Sequence, residues 1–388
     1  MVTAPTNDDK EPSCARDRHL FGPGRKRILA IDGGGVRGVV ALAFIERLEA
    51  VLSEQAGRKT RLCDHFDFIG GTSTGAIVAT GLALGYSAAE IRDFYFRLAP
   101  RIFRKPFFRL PVWQAKFDAE ALRREIAGIL GARRLDSTDI QTGLGVMLKR
   151  IDAGGAWILT NNPRAKYWET PDDRSFIGNR HYSLANVVRA STAAPHYFDP
   201  QEITIVDGEP PALFVDGGLT PHNDPSLALL LATIMPCHNI GWSLGADKLT
   251  VVSIGTGSYR VRTDARALRR GSSVNVALLS LVQQISENQQ LTLSLMSWLG
   301  LGGARWPINS EVGDLTGTEP PFGAQFRFLR YDVKLEADWL AETLGVSVAP
   351  RELKQIRRFD DPDAIALLYD IGSRAAKVQI KEAEVAVA

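Results

Sequence analysis

The segment from Phe66 to Leu84 limits the fold more than any other. An apolar run, Phe66-Asp67-Phe68-Ile69, is followed by Gly70-Gly71-Thr72-Ser73-Thr74-Gly75 and then by a helical pattern from Ala76 to Leu84. Strand, tight turn and helix in that order are the setting of a G-x-S-x-G nucleophile elbow, which projects its serine oxygen from the carboxyl end of the strand. The turn is sharp, and Gly71 and Gly75 leave room for it. The hydroxyl then lies at the N-terminus of the next helix, where free N–H groups favour developing negative charge. A glycine-rich connection holding a serine by coincidence would read the same way, so the rest of the chain has to decide.

The remaining periodicity supplies the sheet that such an elbow requires. Arg27-Ile28-Leu29-Ala30-Ile31 reads as a buried strand, and Val39 to Leu52 as a helix with Leu42, Ile45, Leu48 and Leu52 on one face. Ser87-Ala88-Ala89-Glu90 is a capping box that opens a helix through Leu98, and Asp118 caps another that runs to Leu130. Val146–Leu148 and Trp157–Leu159 flank a glycine-rich turn as a hairpin. Further strands fit Ile203–Val206, Leu213–Val215 and Leu249–Ile254, and long helical patterns occupy 273–299 and 362–376. Strands alternating with helices predict an α/β fold, a central and mostly parallel sheet covered on both faces. Residues 1–24 read as a disordered lead-in, 25–260 as the catalytic domain, and 261–388 as a mainly helical C-terminal extension packed on the same domain.

Two more glycine motifs follow strands. Asp32-Gly33-Gly34-Gly35-Val36-Arg37-Gly38 lets the backbone approach a ligand and aim N–H groups at one spot, a nest for an anion or an oxyanion. Arg37 can anchor that loop or attract a phosphate head group. The same letters satisfy G-x-G-x-x-G, but a dinucleotide site needs an acid at the end of the second strand, and here Gly70-Gly71 and the serine turn stand there. Asp216-Gly217-Gly218, after Leu213-Phe214-Val215, sets a carboxylate at a strand end within reach of a neighbouring strand's terminus.

Taken in order, these motifs resemble those of the patatin-like phospholipases. The resemblance continues at Ala190-Ser191-Thr192-Ala193-Ala194-Pro195-His196-Tyr197-Phe198 and at Ser253-Ile254-Gly255-Thr256-Gly257, and it spans Ile28 to Ser258. One departure is Asn223-Asp224-Pro225, where the family often has Asn-Asn-Pro. The resemblance implies a patatin-like three-layer α/β/α fold. It implies a serine lipid acyl hydrolase in which Ser73 attacks, Asp216 takes the proton, and the loop of Gly33, Gly34, Gly35, Arg37 and Gly38 holds the oxyanion. No histidine, metal or cofactor is required. His222 and His196 are the candidates for a triad instead, yet neither lies in a motif that a triad predicts.

Partners follow from charge and composition. A net charge of +2 argues against nucleic acid, and Cys14, Cys63 and Cys237 lack ligand spacing and fit a reducing, cytoplasmic setting. No apolar run of about 18 residues appears, so an enzyme acting on membrane phospholipid or another acyl lipid would meet the membrane peripherally. Residues 101–117 combine Arg101, Arg104, Lys105 and Arg109 with Phe107, Phe108 and Trp113, which suits either a docking edge or packing on the core. Arg260 to Arg270 carries five arginines, a solvated surface or an anion site. The family also leaves room for a small-molecule activator, since some bacterial relatives answer a cyclic-nucleotide signal, and for a non-catalytic lipid-binding storage role.

Overall fold

The computed structural model describes residues 14–103, 119–260, 268–269, 273–315 and 317–387. Among these, nine strands form one sheet: β1 (Lys26–Ile31), β2 (Phe68–Thr72), β3 (Gly143–Arg150), β4 (Gly155–Thr160), β5 (Gln201–Ile203), β6 (Ala212–Asp216), β7 (Leu249–Ile254), β8 (Leu301–Gly303) and β9 (Arg327–Tyr331). Strands β3, β2, β1, β7, β9 and β8 lie side by side and parallel. The hairpin partner β4 runs antiparallel along β3. Strand β6 is also antiparallel to β3, and β5 to β6.

Helices cover both faces, as three layers require. On one side lie α2 (Gly38–Gln55), α3 (Thr74–Ala83), α4 (Ala88–Ile102), α5 (Ala119–Leu130), α6 (Leu184–Ser191), α9 (Ala337–Leu344) and α11 (Ile365–Gln379). On the other lie α1 (Ala15–Phe21), α7 (Ser226–Ile234) and α8 (Ser273–Leu299). Two short helices, α10 (Pro350–Ile356) and α12 (Glu382–Val387), flank α11 in sequence. Each central strand divides its side chains between the two cores. Leu29, Ile31, Val252 and Ile254 enter the first, and Ile28, Ala30, Leu249 and Val251 the second. Because both faces are apolar, such strands read as unbroken hydrophobic runs rather than alternating ones.

Some elements differ from their expected bounds, for physical reasons. Strand β2 starts at Phe68 and continues through Gly70-Gly71 to Thr72, so glycines that looked like a boundary lie inside it. A Cβ on Gly70 would fall 2.6 Å from Leu229 of α7, and so would one on Gly145 of β3. The bare strands thus let α7 pack close to the sheet. The stretch expected to be a disordered lead-in contains α1, with Leu20 buried. Residues expected in the helical extension contribute β8 and β9 to the same sheet. The capping box before α4 forms, Ser87 Oγ accepting from Glu90 N–H and Glu90 accepting from Ser87 N–H. Asp118, residues 104–117 of the basic and aromatic stretch, and most of the arginine-rich stretch after Arg260 lie outside the described residues. Among the described residues, no helix is long and apolar enough to cross a membrane.

Strand β9 brings a buried charge to the middle of the sheet's C-terminal edge. Arg330 is fully buried and donates through Nη1 and Nη2 to Asp32 at 2.9 and 2.6 Å, to Asp224 at 3.2 Å and to Asp332 at 3.2 Å. Ser253 Oγ accepts a further bond from it at 2.6 Å. Burial raises the Asp32 carboxyl well above its ordinary value; Arg330 opposes that shift and Asp224 reinforces it. The aspartate at 224, the chain's departure from Asn-Asn-Pro, therefore has a buried cation as its partner. Removing one member of a buried ionic cluster typically costs about 3–5 kcal/mol, because the remaining charges stay desolvated. Arg330→Met should lower stability by about that amount, read as a lower urea midpoint. Adding Asp224→Asn should recover part of the loss, and additive losses in the double variant would contradict this coupling.

Candidate active site

The pairing register of β3 assembles the site. Thr72, the last residue of β2, pairs with Met147, and Asp216, the last residue of β6, pairs with Leu148. Residues 145–147 of β3 pair with both β2 and β4, and 148–150 with both β4 and β6. Strands β2 and β6 therefore occupy the same edge and meet end to end. Ser73, the first residue beyond β2, comes to face Asp216, and Ser73 Oγ donates to Asp216 Oδ2 at 2.6 Å.

The turn that carries Ser73 is tight. Its φ of 55° and ψ of −125° are unusual for a residue with a side chain, and such geometry costs about 1–3 kcal/mol. Surrounding contacts hold it. Ser73 N–H donates to Ser191 Oγ at 2.9 Å, and Ser191 Oγ donates to Met147 O at 2.7 Å. A Cβ on Gly71 would lie 2.1 Å from the Gly75 carbonyl oxygen, and one on Gly75 would lie 2.3 Å from that of Ile31. The two flanking glycines are thus needed for close approach. On the other side, Asp216 Oδ1 accepts from Gly218 N–H at 2.7 Å, which orients the carboxylate. Gly217 crosses β3 so closely that a Cβ would sit 2.2 Å from Met147 O.

The glycine loop after β1 borders the same space. Of the N–H groups expected to point into it, those of Gly33, Arg37 and Gly38 are already engaged. Gly33 donates to Asn223 O at 3.0 Å, Arg37 to Gly34 O at 3.1 Å, and Gly38 back into its own turn. The N–H groups of Gly34 and Gly35 have no partner among the described residues. The loop is clamped from several directions. Thr256 Oγ1 donates to Gly33 O at 2.8 Å, Tyr95 OH donates to Gly35 O, and Phe359 O accepts from Val36 N–H at 2.9 Å. The Arg37 guanidinium donates to Gly257 O at 3.0 Å and lies over the Tyr259 ring, so it anchors the loop to the Gly255-Thr256-Gly257 turn. Asp332 reinforces that turn by accepting from Gly257 N–H at 2.8 Å.

Ser73, Asp216, Gly34 and Gly35 line a cavity of about 270 Å³, walled by Leu98, Phe103 and Phe198 among other apolar groups. Burial in it raises the Asp216 carboxyl to about 6, against the hydrogen bonds from Ser73 and Gly218 and the charge of Arg189, which lower it. A carboxylate with that affinity can exchange protons near neutral pH. Neither Ser73 nor Asp216 hydrogen-bonds a histidine among the described residues. His222 donates its N–H to Thr220 Oγ1 and accepts from Thr72 Oγ1 through its carbonyl, while the His196 ring lies against Tyr197.

Residues 29–230, just over half of the chain, match the family described as patatin-like phospholipase. The chain belongs to that family. It is 30% identical over 214 residues to a cGAMP-activated phospholipase of Vibrio cholerae, covering 52% of this chain and 56% of that protein. It is 29% identical over 280 residues to patatin-like protein 1 of Arabidopsis thaliana, covering 66% of this chain and 63% of that one. The chain thus spans little more than half the length of these family members. Among solved structures, human GIVD cytosolic phospholipase A2 aligns with a TM-score of 0.41 at 10% identity, over 96% of this chain and 60% of that one, a likeness too loose to bear on the site.

Several groups that shape the site carry no motif of their own. Arg330 and Asp332 lie outside the family match, and Ser191, inside the Ala190–Phe198 stretch, holds the Ser73 backbone. A carboxyl whose folded pKa lies above its unfolded value favours folding while protonated and opposes it once pH exceeds both values. Asp216 is such a group, raised from 3.8 to about 6. Asp216→Asn should therefore stabilise the fold above pH ~6 by on the order of 1–3 kcal/mol, with the gain vanishing as pH falls below ~4. Melting curves at the two ends of this range test it, and an equal gain at both would contradict the buried-charge account.

Proposed function

We propose that this protein is a serine lipid acyl hydrolase that cleaves fatty-acyl esters of phospholipids or lysophospholipids through a Ser73–Asp216 dyad. The observation that carries this reading is the 2.6 Å hydrogen bond from Ser73 Oγ to a buried carboxylate, which burial raises to about 6. Ser73 Oγ attacks the ester carbonyl carbon as its proton passes to Asp216. The N–H groups of Gly34 and Gly35, with the N-terminus of α3 nearby, receive the oxyanion. Collapse of the tetrahedral intermediate breaks the ester C–O bond, and the proton on Asp216 goes to the leaving alcohol. Water then loses a proton to Asp216 and attacks the acyl-enzyme, and Ser73 regains the proton as the fatty acid leaves.

Ser73→Ala and Asp216→Ala should each reduce turnover by on the order of a thousandfold or more, with the double variant no worse than either single one. Because Asp216 acts ionised, kcat/KM of the unsubstituted protein should rise with pH through about 6 to a plateau. Substantial turnover by folded Ser73→Ala would overturn the dyad. A profile that falls as pH rises through that range would overturn the role of Asp216.

A second reading is favoured by the Vibrio cholerae relative, named as cGAMP-activated: the hydrolase is held inactive until a cyclic nucleotide binds. Fatty-acid release from phospholipid vesicles, with and without cGAMP, separates the two readings. A rate unchanged by saturating cGAMP removes the second.

A further inference from the structure

A second apolar cavity, of about 300 Å³, lies beside the one that holds Ser73. The residues of both come from the same three helices. On α3, Thr74 and Ile77 face the first cavity, and Ile77, Thr80 and Gly81 the second. On α4, Tyr95, Leu98 and Ile102 line the first, and Ile91, Phe94 and Arg97 the second, so this helix turns a different side to each. On α5, Leu122 lines the first, and Ile126 and Ile129 the second. The two spaces therefore adjoin between the same three helices, the first of them holding Ser73. Ile77 is the one described residue that borders both. It sits one turn after Ser73, and as a β-branched residue in a helix it has one strongly preferred χ1 rotamer.

We propose that the two cavities are successive parts of one acyl-chain site, with Ile77 as the constriction that selects chain length. The inference rests on the hydrolase reading above and extends it to the substrate's tail. Pockets for small ligands usually measure about 300–1,000 Å³. The near cavity alone lies just under that range, and the two together lie well inside it. Both cavities are walled largely by apolar side chains, the chemistry that a hydrocarbon chain requires. The far cavity is also bordered by Tyr86, Glu90, Asp93 and Arg97, so part of its wall is polar. A short acyl group would stop before Ile77, whereas a long one would pass it and gain the burial that the far walls offer.

The test compares kcat/KM for p-nitrophenyl palmitate and p-nitrophenyl butyrate in the same detergent, using the full chain. Ile129→Trp places bulk in the far cavity, away from Ser73. It should lower the palmitate-to-butyrate ratio by about tenfold or more, the change expected when about two methylenes lose apolar burial. Ile77→Ala widens the constriction and should raise the same ratio. If the melting curve shows that Ile129→Trp does not fold, the Ile77→Ala ratio decides alone. Ratios that match the unsubstituted protein, or equal losses on both esters, overturn the shared channel and point to a far cavity that holds a separate apolar ligand. Absence of turnover of either ester by the unsubstituted protein overturns the hydrolase reading and this inference together.

Discussion

Strand β3 hydrogen-bonds along one edge to two strands that abut, β2 running with it to Thr72 and β6 running against it to Asp216. A purely parallel sheet sends every strand terminus out on one side, so no terminus points at another. The antiparallel β6 provides the second terminus, and the register sets the two only one residue apart along β3, a rise of about 3.3 Å. That spacing puts a hydroxyl and a carboxylate within hydrogen-bond reach before any side chain adjusts. Most of what surrounds the pair keeps this abutment from slipping: Ser191 tying the Ser73 backbone to Met147, and Gly217 lying too close to β3 to carry a Cβ.

The site combines two unfavourable elements, a serine in a strained backbone conformation and a carboxylate taken out of water. Each persists because its surroundings over-determine it. The glycine loop shows the same logic with opposite sign. Thr256, Tyr95, Asn223 and Phe359 reach its backbone from separate parts of the chain, and what they leave open is a pair of N–H groups at Gly34 and Gly35. On the proposed mechanism these donors, fixed in advance, need no reorganisation as charge develops.

Local structure was legible in the sequence, and most long-range pairing was not. Strand β7 has the bounds read from its apolar run, Leu249–Ile254, and α8 those read from its helical pattern, because both depend on nearest neighbours alone. The start of β2 shifted because glycines usually end strands, and only the approach of Leu229 explains why these do not. Which glycine N–H groups stay open could not be read from Asp32–Gly38, since Asn223 engages the first of them from a distant loop. Arg330 was invisible for a related reason. An arginine in a strand looks like a surface residue, and the three aspartates that bury it lie at positions 32, 224 and 332.

Strand β9 also bears on how far the three glycine motifs can be separated from the rest of the chain. Every one of them precedes residue 260, so a fragment ending there would retain Ser73, Asp216 and all three glycine motifs. It would also leave the β7 edge unpaired and strip Asp32 and Asp224 of their common cation, directly beside the glycine loop that follows β1. The motif-bearing part is therefore not a portable module. A chimera that joins it to another family member's C-terminal segment would need an arginine delivered to the place of Arg330, or an uncharged residue at 224 to lessen the demand for one.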